Sequence, residues 1–184
     1  MTKRGDRYFD GYERISITDD KGKVRHELRY TAEWYGYETP EQQKKLKLQS
    51  ALLTLLVVAA YLYGQLNPAV GGMVRYMAIP SLLALIPMIY ALIGLVNFLF
   101  AKEKWELRVL YAGYRRLLRS GVVLLVLLGI WLGMEVVFIC RNPALFQTEL
   151  LYLLSACCST AAQAVLVGLL RRNQPRVVEG PTIR

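Results

Sequence analysis

Polar and apolar positions segregate along this chain into an alternating N-terminal stretch and four long apolar runs. In residues 1–38, Ile15 and Ile17 alternate with Arg14, Ser16 and Thr18. Further on, Val24, His26, Leu28, Tyr30, Ala32 and Trp34 alternate with Arg25, Glu27, Arg29, Thr31 and Glu33. A period of two puts successive side chains on opposite faces, as in a half-buried strand. Between the two runs lies Asp19-Asp20-Lys21-Gly22-Lys23, a turn signal with a glycine available for positive φ. The pattern predicts a β-hairpin. A lone hairpin is marginal in water, so it must lean on a membrane surface, on the rest of the chain or on another protein.

The apolar runs cover about 48–67, 76–100, 121–140 and 150–170. Each reaches the roughly 20 residues that cross a bilayer as a helix. Thr39-Pro40-Glu41-Gln42 starts the first helix: Thr39 can cap, Pro40 suits the first turn, and Gln42 completes the capping spacing. Asn67-Pro68 ends it, and Gly71-Gly72 is the flexible point of the next connection. The second run is long enough to tilt and holds Pro80 and Pro87, each of which removes a helical hydrogen bond. Residues 101–120 are polar and basic, with apolar residues at roughly helical spacing. They are expected to extend the second and third helices beyond the membrane, bent near Gly113; a basic amphipathic helix on the surface is the alternative. Arg141-Asn142-Pro143 ends the third run, and a short connection leads through Glu149 to the fourth, which is rich in small and hydroxyl residues. Such residues let helices approach closely and hydrogen-bond to one another. The tail 173–184, with Pro175, Gly180 and Pro181, is expected to lack regular structure. The fold class is an all-α integral membrane protein, a four-helix transmembrane bundle with a small N-terminal cytoplasmic β-hairpin.

Composition agrees. Apolar residues make up 54% of the chain and charged ones 20%, against about 25% in soluble domains. The charge is +9, but the basic residues flank apolar runs, so they point to anionic lipid headgroups rather than nucleic acid. Residues 1–47 hold eleven Lys and Arg, the central segment six and the tail from Arg171 four, twenty-one of twenty-three; only Arg75 and Arg141 fall on the other side. The positive-inside rule then places both termini and the central segment in the cytoplasm of a plasma (inner) membrane protein. Trp34, Tyr35, Tyr37, Trp105, Arg115, Arg116 and Arg119 are the candidate interface and headgroup contacts.

Candidate chemistry is sparse. No phosphate loop, zinc-protease helix or nucleophile elbow occurs. Cys140, Cys157 and Cys158 show no zinc-site spacing and suit packing, and His26 has no companion ligands. No catalytic residue, cofactor or metal is implied. The exception is Glu135, inside the third run and six residues before Arg141, about 9 Å along a helix. An ionisable group inside a membrane is a functional candidate by default. Antiparallel neighbours put Ser155, Ser159, Tyr61 and Gln65 at comparable depth, with Ser81 on the second run. The competing reading is structural: a hydrogen-bonded or protonated Glu135 that locks helix packing.

Arg75-Tyr76-Met77-Ala78-Ile79-Pro80, the second proline Pro87 and the basic loop after the second run resemble small uncharacterised four-span proteins of bacteria. The resemblance covers most of residues 30–172 in layout and implies no activity. The sequence therefore favours a non-enzymatic accessory or interaction protein that docks a partner, or a second copy of itself, through its hairpin and basic segment. A proton- or cation-coupled transporter or channel subunit using Glu135 is the alternative. A lipid-modifying enzyme, with a polar cavity lined by Glu135 and Tyr61, Gln65 or Ser159, comes third.

Overall fold

The computed structural model describes residues 12–18, 24–67 and 70–180, so the turn expected over 19–23 lies outside the described residues. Strand β1 (Tyr12–Thr18) pairs antiparallel with β2 (Val24–Tyr30), from Tyr12 opposite Tyr30 to Thr18 opposite Val24. Strand β3 (Trp34–Gly36) follows, and then helix α1 (Pro40–Leu66). The start of α1 is set by Thr39, whose side chain accepts from the Gln42 N–H at 3.3 Å, with Pro40 in the first turn.

A short 3-10 turn, Gly71–Met73, leads to α2 (Arg75–Leu99), which contains both prolines. After irregular residues 100–106 comes α3 (Leu107–Leu110), which passes through a π-helical turn, Tyr111–Arg115, into α4 (Arg116–Arg141). A turn at Pro143–Leu145 reverses the chain into α5 (Phe146–Arg172), and strand β4 (Arg176–Glu179) follows. Among the described residues, four helical stretches are long and apolar enough to cross a membrane.

These helices pack in the order α2–α4–α5–α1: α2 lies on α4, α4 on α5 and α5 on α1, while α1 and α2 touch little. Large apolar side chains stay exposed along the outer faces, among them Leu52, Leu55, Ile79, Ile86, Ile89, Val126 and Leu154. So much exposed apolar surface is unlike a soluble monomer and suits lipid. The chain is a multi-pass membrane protein.

Glycines set the closest approaches. A Cβ on Gly94 of α2 would lie 2.7 Å from the Leu117 backbone nitrogen of α4, and one on Gly113 would lie 3.0 Å from the Phe98 nitrogen. Gly113 sits in the π turn. A π turn adds one residue to a helical turn, so the helix bulges here, and the missing side chain lets the end of α2 close on the bulge.

Polar parts from three regions of the chain gather at one end of the bundle. β3 pairs antiparallel with β4, with Gly36 opposite Arg176. On its other edge, Tyr35 exchanges two backbone hydrogen bonds with Trp105, at 2.9 and 2.7 Å. Four crossings return a chain to the side it left, so a strand before the first span can meet one after the last. The tail expected to lack structure thus provides β4. Its sequence RVVE supplies β-branched residues in a row, and β3 supplies an edge that would otherwise stand open.

The expected extension of α2 beyond residue 100 is also absent: α2 stops at Leu99. Side chains of α1 take the carbonyls near its end. Lys47 Nζ donates to the Leu99 and Ala101 oxygens at 3.1 and 2.5 Å, and Gln43 Nε2 donates to the Lys102 oxygen at 2.8 Å. With these carbonyls satisfied from outside, the helix can end and release Trp105 to pair with Tyr35.

Two apolar clusters fill the bundle. One lies toward the polar cap, around Leu46, Phe98, Trp105, Tyr114, Leu117 and Leu170. The other lies toward the far end, around Val57, Tyr61, Leu128, Trp131, Tyr152 and Ala156.

Candidate functional site

The far-end cluster grades into a polar group built from two facing stripes. On α4, Leu124, Leu128, Trp131, Glu135 and Phe138 recur at three- and four-residue spacing and are all buried. On α5, Glu149, Tyr152, Ser155, Ala156 and Ser159 do the same. α1 adds Tyr61 and Gly64, and the 3-10 turn adds Gly71 and Gly72.

Glu135 is 0% exposed, and neither of its carboxyl oxygens has a hydrogen-bond partner. Its neighbour is the carboxyl of Glu149, also 0% exposed and close enough for the two side chains to hydrogen-bond when one is protonated. Glu149 lies in the first turn of α5, where backbone N–H groups favour an acidic residue. One of its oxygens accepts from the Gly71 N–H at 3.0 Å; the other has no partner.

Tyr152 lies beside this pair and joins a cluster of aromatic rings. Trp131 Nε1 donates to the Tyr152 hydroxyl at 3.0 Å, and Gln65 approaches the same oxygen. Tyr61 packs edge-on against Trp131, with ring centroids 5.7 Å apart, and its hydroxyl donates to the Ser81 carbonyl at 2.6 Å. Tyr152 also packs edge-on against Trp131, with ring centroids 5.2 Å apart. Gly72 lies over the Tyr152 hydroxyl, where an added Cβ would be 3.5 Å away.

The structure therefore brings together Glu135, Tyr61 and Ser155, while Gln65 reaches in from an exposed position. The serines do not reach across the interface. Ser155 donates to the Tyr152 carbonyl of its own helix at 2.7 Å, and Ser159 donates to the Ala156 carbonyl at 3.1 Å. Besides the Trp131–Tyr152 bond, α5 is linked to α4 by Gln163, which donates to the Gly121 carbonyl at 2.8 Å, and by Thr160, which donates to the Leu128 carbonyl at 3.4 Å. The Tyr61 and Ser159 hydroxyls both donate to backbone carbonyls.

Sequence reasoning passed over Glu149 as a connection residue. A positional signal was present, since residues 135 and 149 lie seven positions before and after Asn142. When a short turn joins two antiparallel helices, residues equidistant from it come to the same level.

At the polar end, Trp105 is 1% exposed, and its Nε1 donates to the Lys102 carbonyl at 2.5 Å. It packs edge-on against Tyr37 and Phe98, so it belongs to the core and not to the lipid-facing surface. Tyr37 is half-buried, and its hydroxyl donates to the Asn173 carbonyl at 3.2 Å; burial raises its pKa from the ordinary tyrosine value. Tyr35 is raised as well, by burial and then by its hydrogen bond to the Glu33 carboxylate.

Arg115, Arg116 and Arg119 line an open groove of about 480 Å³ between α2 and α4, over Ile86, Pro87, Tyr90 and Val123. The Arg115 guanidinium lies 4.2 Å from the centre of the Tyr111 ring. No cluster of three or more metal-ligating side chains occurs among the described residues.

No protein-family profile, curated protein or solved structure matches the chain. The residues themselves carry the functional argument.

Proposed function

We propose that this chain is a non-enzymatic accessory subunit of a bacterial inner membrane, oriented with its polar cap in the cytoplasm, and that it docks a partner through hairpin β1–β2. The Lys and Arg distribution supports the orientation. The observation that carries the docking reading is that β1 and β2 form a sheet of their own, with no third strand on either edge among the described strands. Such a hairpin is marginal alone, and an open edge accepts a further strand through backbone hydrogen bonds. The groove at Arg115, Arg116 and Arg119 suits anionic lipid headgroups at the same membrane face, with apolar residues below the cations for an acyl chain.

The test is a deletion of residues 1–28. It removes the hairpin but keeps Tyr30, Trp34 and the β3–β4 pairing that organise the cap. Affinity purification from membranes should then lose a partner that the full chain retains. If the deleted protein is monomeric and keeps every co-purifying protein, the docking reading fails.

A second reading, a proton- or cation-coupled transporter or channel subunit, is supported by the buried Glu135–Glu149 pair. It expects Glu135→Gln to abolish ion flux in reconstituted vesicles, and wild-type flux in that variant would count against it.

A further inference from the structure

Three carboxyl oxygens meet at the far end of the bundle without a donor: both of Glu135 and one of Glu149. All belong to side chains that are 0% exposed. Among the described side chains, the ionisable groups that lie against this pair are the two carboxyls themselves and Tyr152. From α4 comes Glu135; from α5 come Glu149 and Tyr152; on α1, the Tyr61 hydroxyl is committed to the Ser81 carbonyl. Of the described groups in the turn before α2, the Gly71 N–H reaches the pair. Arg141 is exposed at the end of α4.

Two buried carboxylates in contact, beside Tyr152, would place two like charges where the dielectric is low. That arrangement is strongly unfavourable unless a positive species joins them. The smallest such species needs no cavity. One proton placed between the two carboxyls turns an orphan oxygen of Glu135 into a donor and an oxygen of Glu149 into its acceptor, or the reverse. The remaining negative charge is then met by the Gly71 N–H. The Tyr152 hydroxyl also has its proton free to point at the pair, because its oxygen already accepts from Trp131 and is approached by Gln65.

We propose that Glu135 and Glu149 form a proton-binding site, one carboxylic acid and one carboxylate sharing a single proton, positioned beneath the Gly71–Gly72 turn at the end of the bundle opposite the polar cap. This goes beyond both functional readings, since a proton can be held without being moved and without a partner at the hairpin. The site is a unit that neither glutamate forms alone. It also ties three parts of the fold together, joining α4 to α5 through the shared proton and α5 to the α1–α2 connection through Gly71.

Infrared spectroscopy of the purified full chain in nanodiscs at pH 7 tests it. Carboxyl groups with free water access are ionised at that pH as a rule, so a protonated-carboxyl band reports a sequestered acid. The wild type should show this band, and it should move to lower frequency in D2O. Glu135→Gln and Glu149→Gln should each abolish the band, because the new amide donates to the remaining carboxylate and no proton is needed. Tyr152→Phe should shift the band without removing it, and this variant, which leaves both carboxyls in place, serves if a glutamine variant fails to fold.

Absence of the band in folded wild-type protein overturns the proposal. So does a band that survives in both folded glutamine variants, or one unmoved by Tyr152→Phe. A band that Mg2+ or Ca2+ replaces with carboxylate absorption, together with a raised melting temperature, identifies a metal site instead. Failed ion flux would leave the band in place, so the transport reading can fall while this one stands.

Discussion

Gly64 of α1 lies directly against the Ser155 side chain of α5, so closely that an added Cβ would overlap the serine hydroxyl and sit 3.0 Å from its Cβ. The α1–α5 interface is therefore set at this point by the absence of a side chain. Gly64→Ala should destabilise the bundle by about 1–3 kcal/mol, the usual range for overpacking. Ser155→Gly removes the atoms that clash, so the double variant should recover much of the loss. A double-mutant cycle of thermal melts in detergent measures this coupling, and additive effects would show that the two residues do not compete for the same space.

The glycines of the other helices separate into two kinds. At Gly94 the nearest obstacle is the Leu117 backbone, which cannot move aside as a side chain could. At Gly133 nothing lies within 4 Å. Gly94→Ala should therefore cost about 1–3 kcal/mol. Gly133→Ala should be neutral or stabilising by up to about 1 kcal/mol, through helix propensity. Melting temperatures of the two variants, measured side by side, check the contrast.

Trp105 and Tyr30 hold the polar cap to the bundle. Trp105→Ala should cost about 3–5 kcal/mol, as for other buried aromatic truncations, and should free the β3–β4 ribbon to proteolysis. Tyr30→Phe is milder. The Leu107 N–H donates to the Tyr30 hydroxyl at 3.0 Å, and that hydroxyl donates to the Glu33 carbonyl at 2.9 Å. Losing the acceptor leaves the first turn of α3 short of a partner, at about 1–3 kcal/mol. Hydrogen exchange at Leu107 should rise in Tyr30→Phe and stay slow in the wild type.

The hairpin has its own tie, from the Tyr12 hydroxyl to the Glu106 carboxylate. Burial, followed by this hydrogen bond, pushes the Tyr12 pKa up to about 12. A raised folded pKa means that the neutral phenol is the form the fold favours. The contribution is fully present below the unfolded value of about 10 and is lost as pH rises through the folded one. Hairpin attachment, read as protection from limited proteolysis, should thus be insensitive to pH near neutrality and weaken only above about pH 10. Tyr12→Phe should be cleaved faster at pH 7 and lose that alkaline step.

How much of this was legible in the sequence depends on how far apart the cooperating residues lie. The four spans, the Thr39 cap and the two alternating strands are local patterns, read within a window of a few turns. The β3–β4 pairing was not legible, because three residues near one end and four near the other carry no local mark of each other. Trp105 read as an interfacial aromatic because composition alone cannot distinguish a headgroup anchor from a core residue beneath a polar cap. Glu135 stood out because it interrupts an apolar run. Its partner did not, because Glu149 stands where the apolar run has not yet begun, and only the symmetry about Asn142 connects them.

The cap has a consequence for the order in which the protein is made. β3 is synthesised before the first span enters the membrane, and β4 only after the fourth. Trp105 can close one edge of β3 once two spans are in place, but the other edge stays open throughout insertion of α4 and α5. The ribbon can thus act as a check on completion: a chain stalled or mis-threaded at the third or fourth span leaves this edge of β3 open, where chaperones and proteases can find it, and in a finished one β4 covers it.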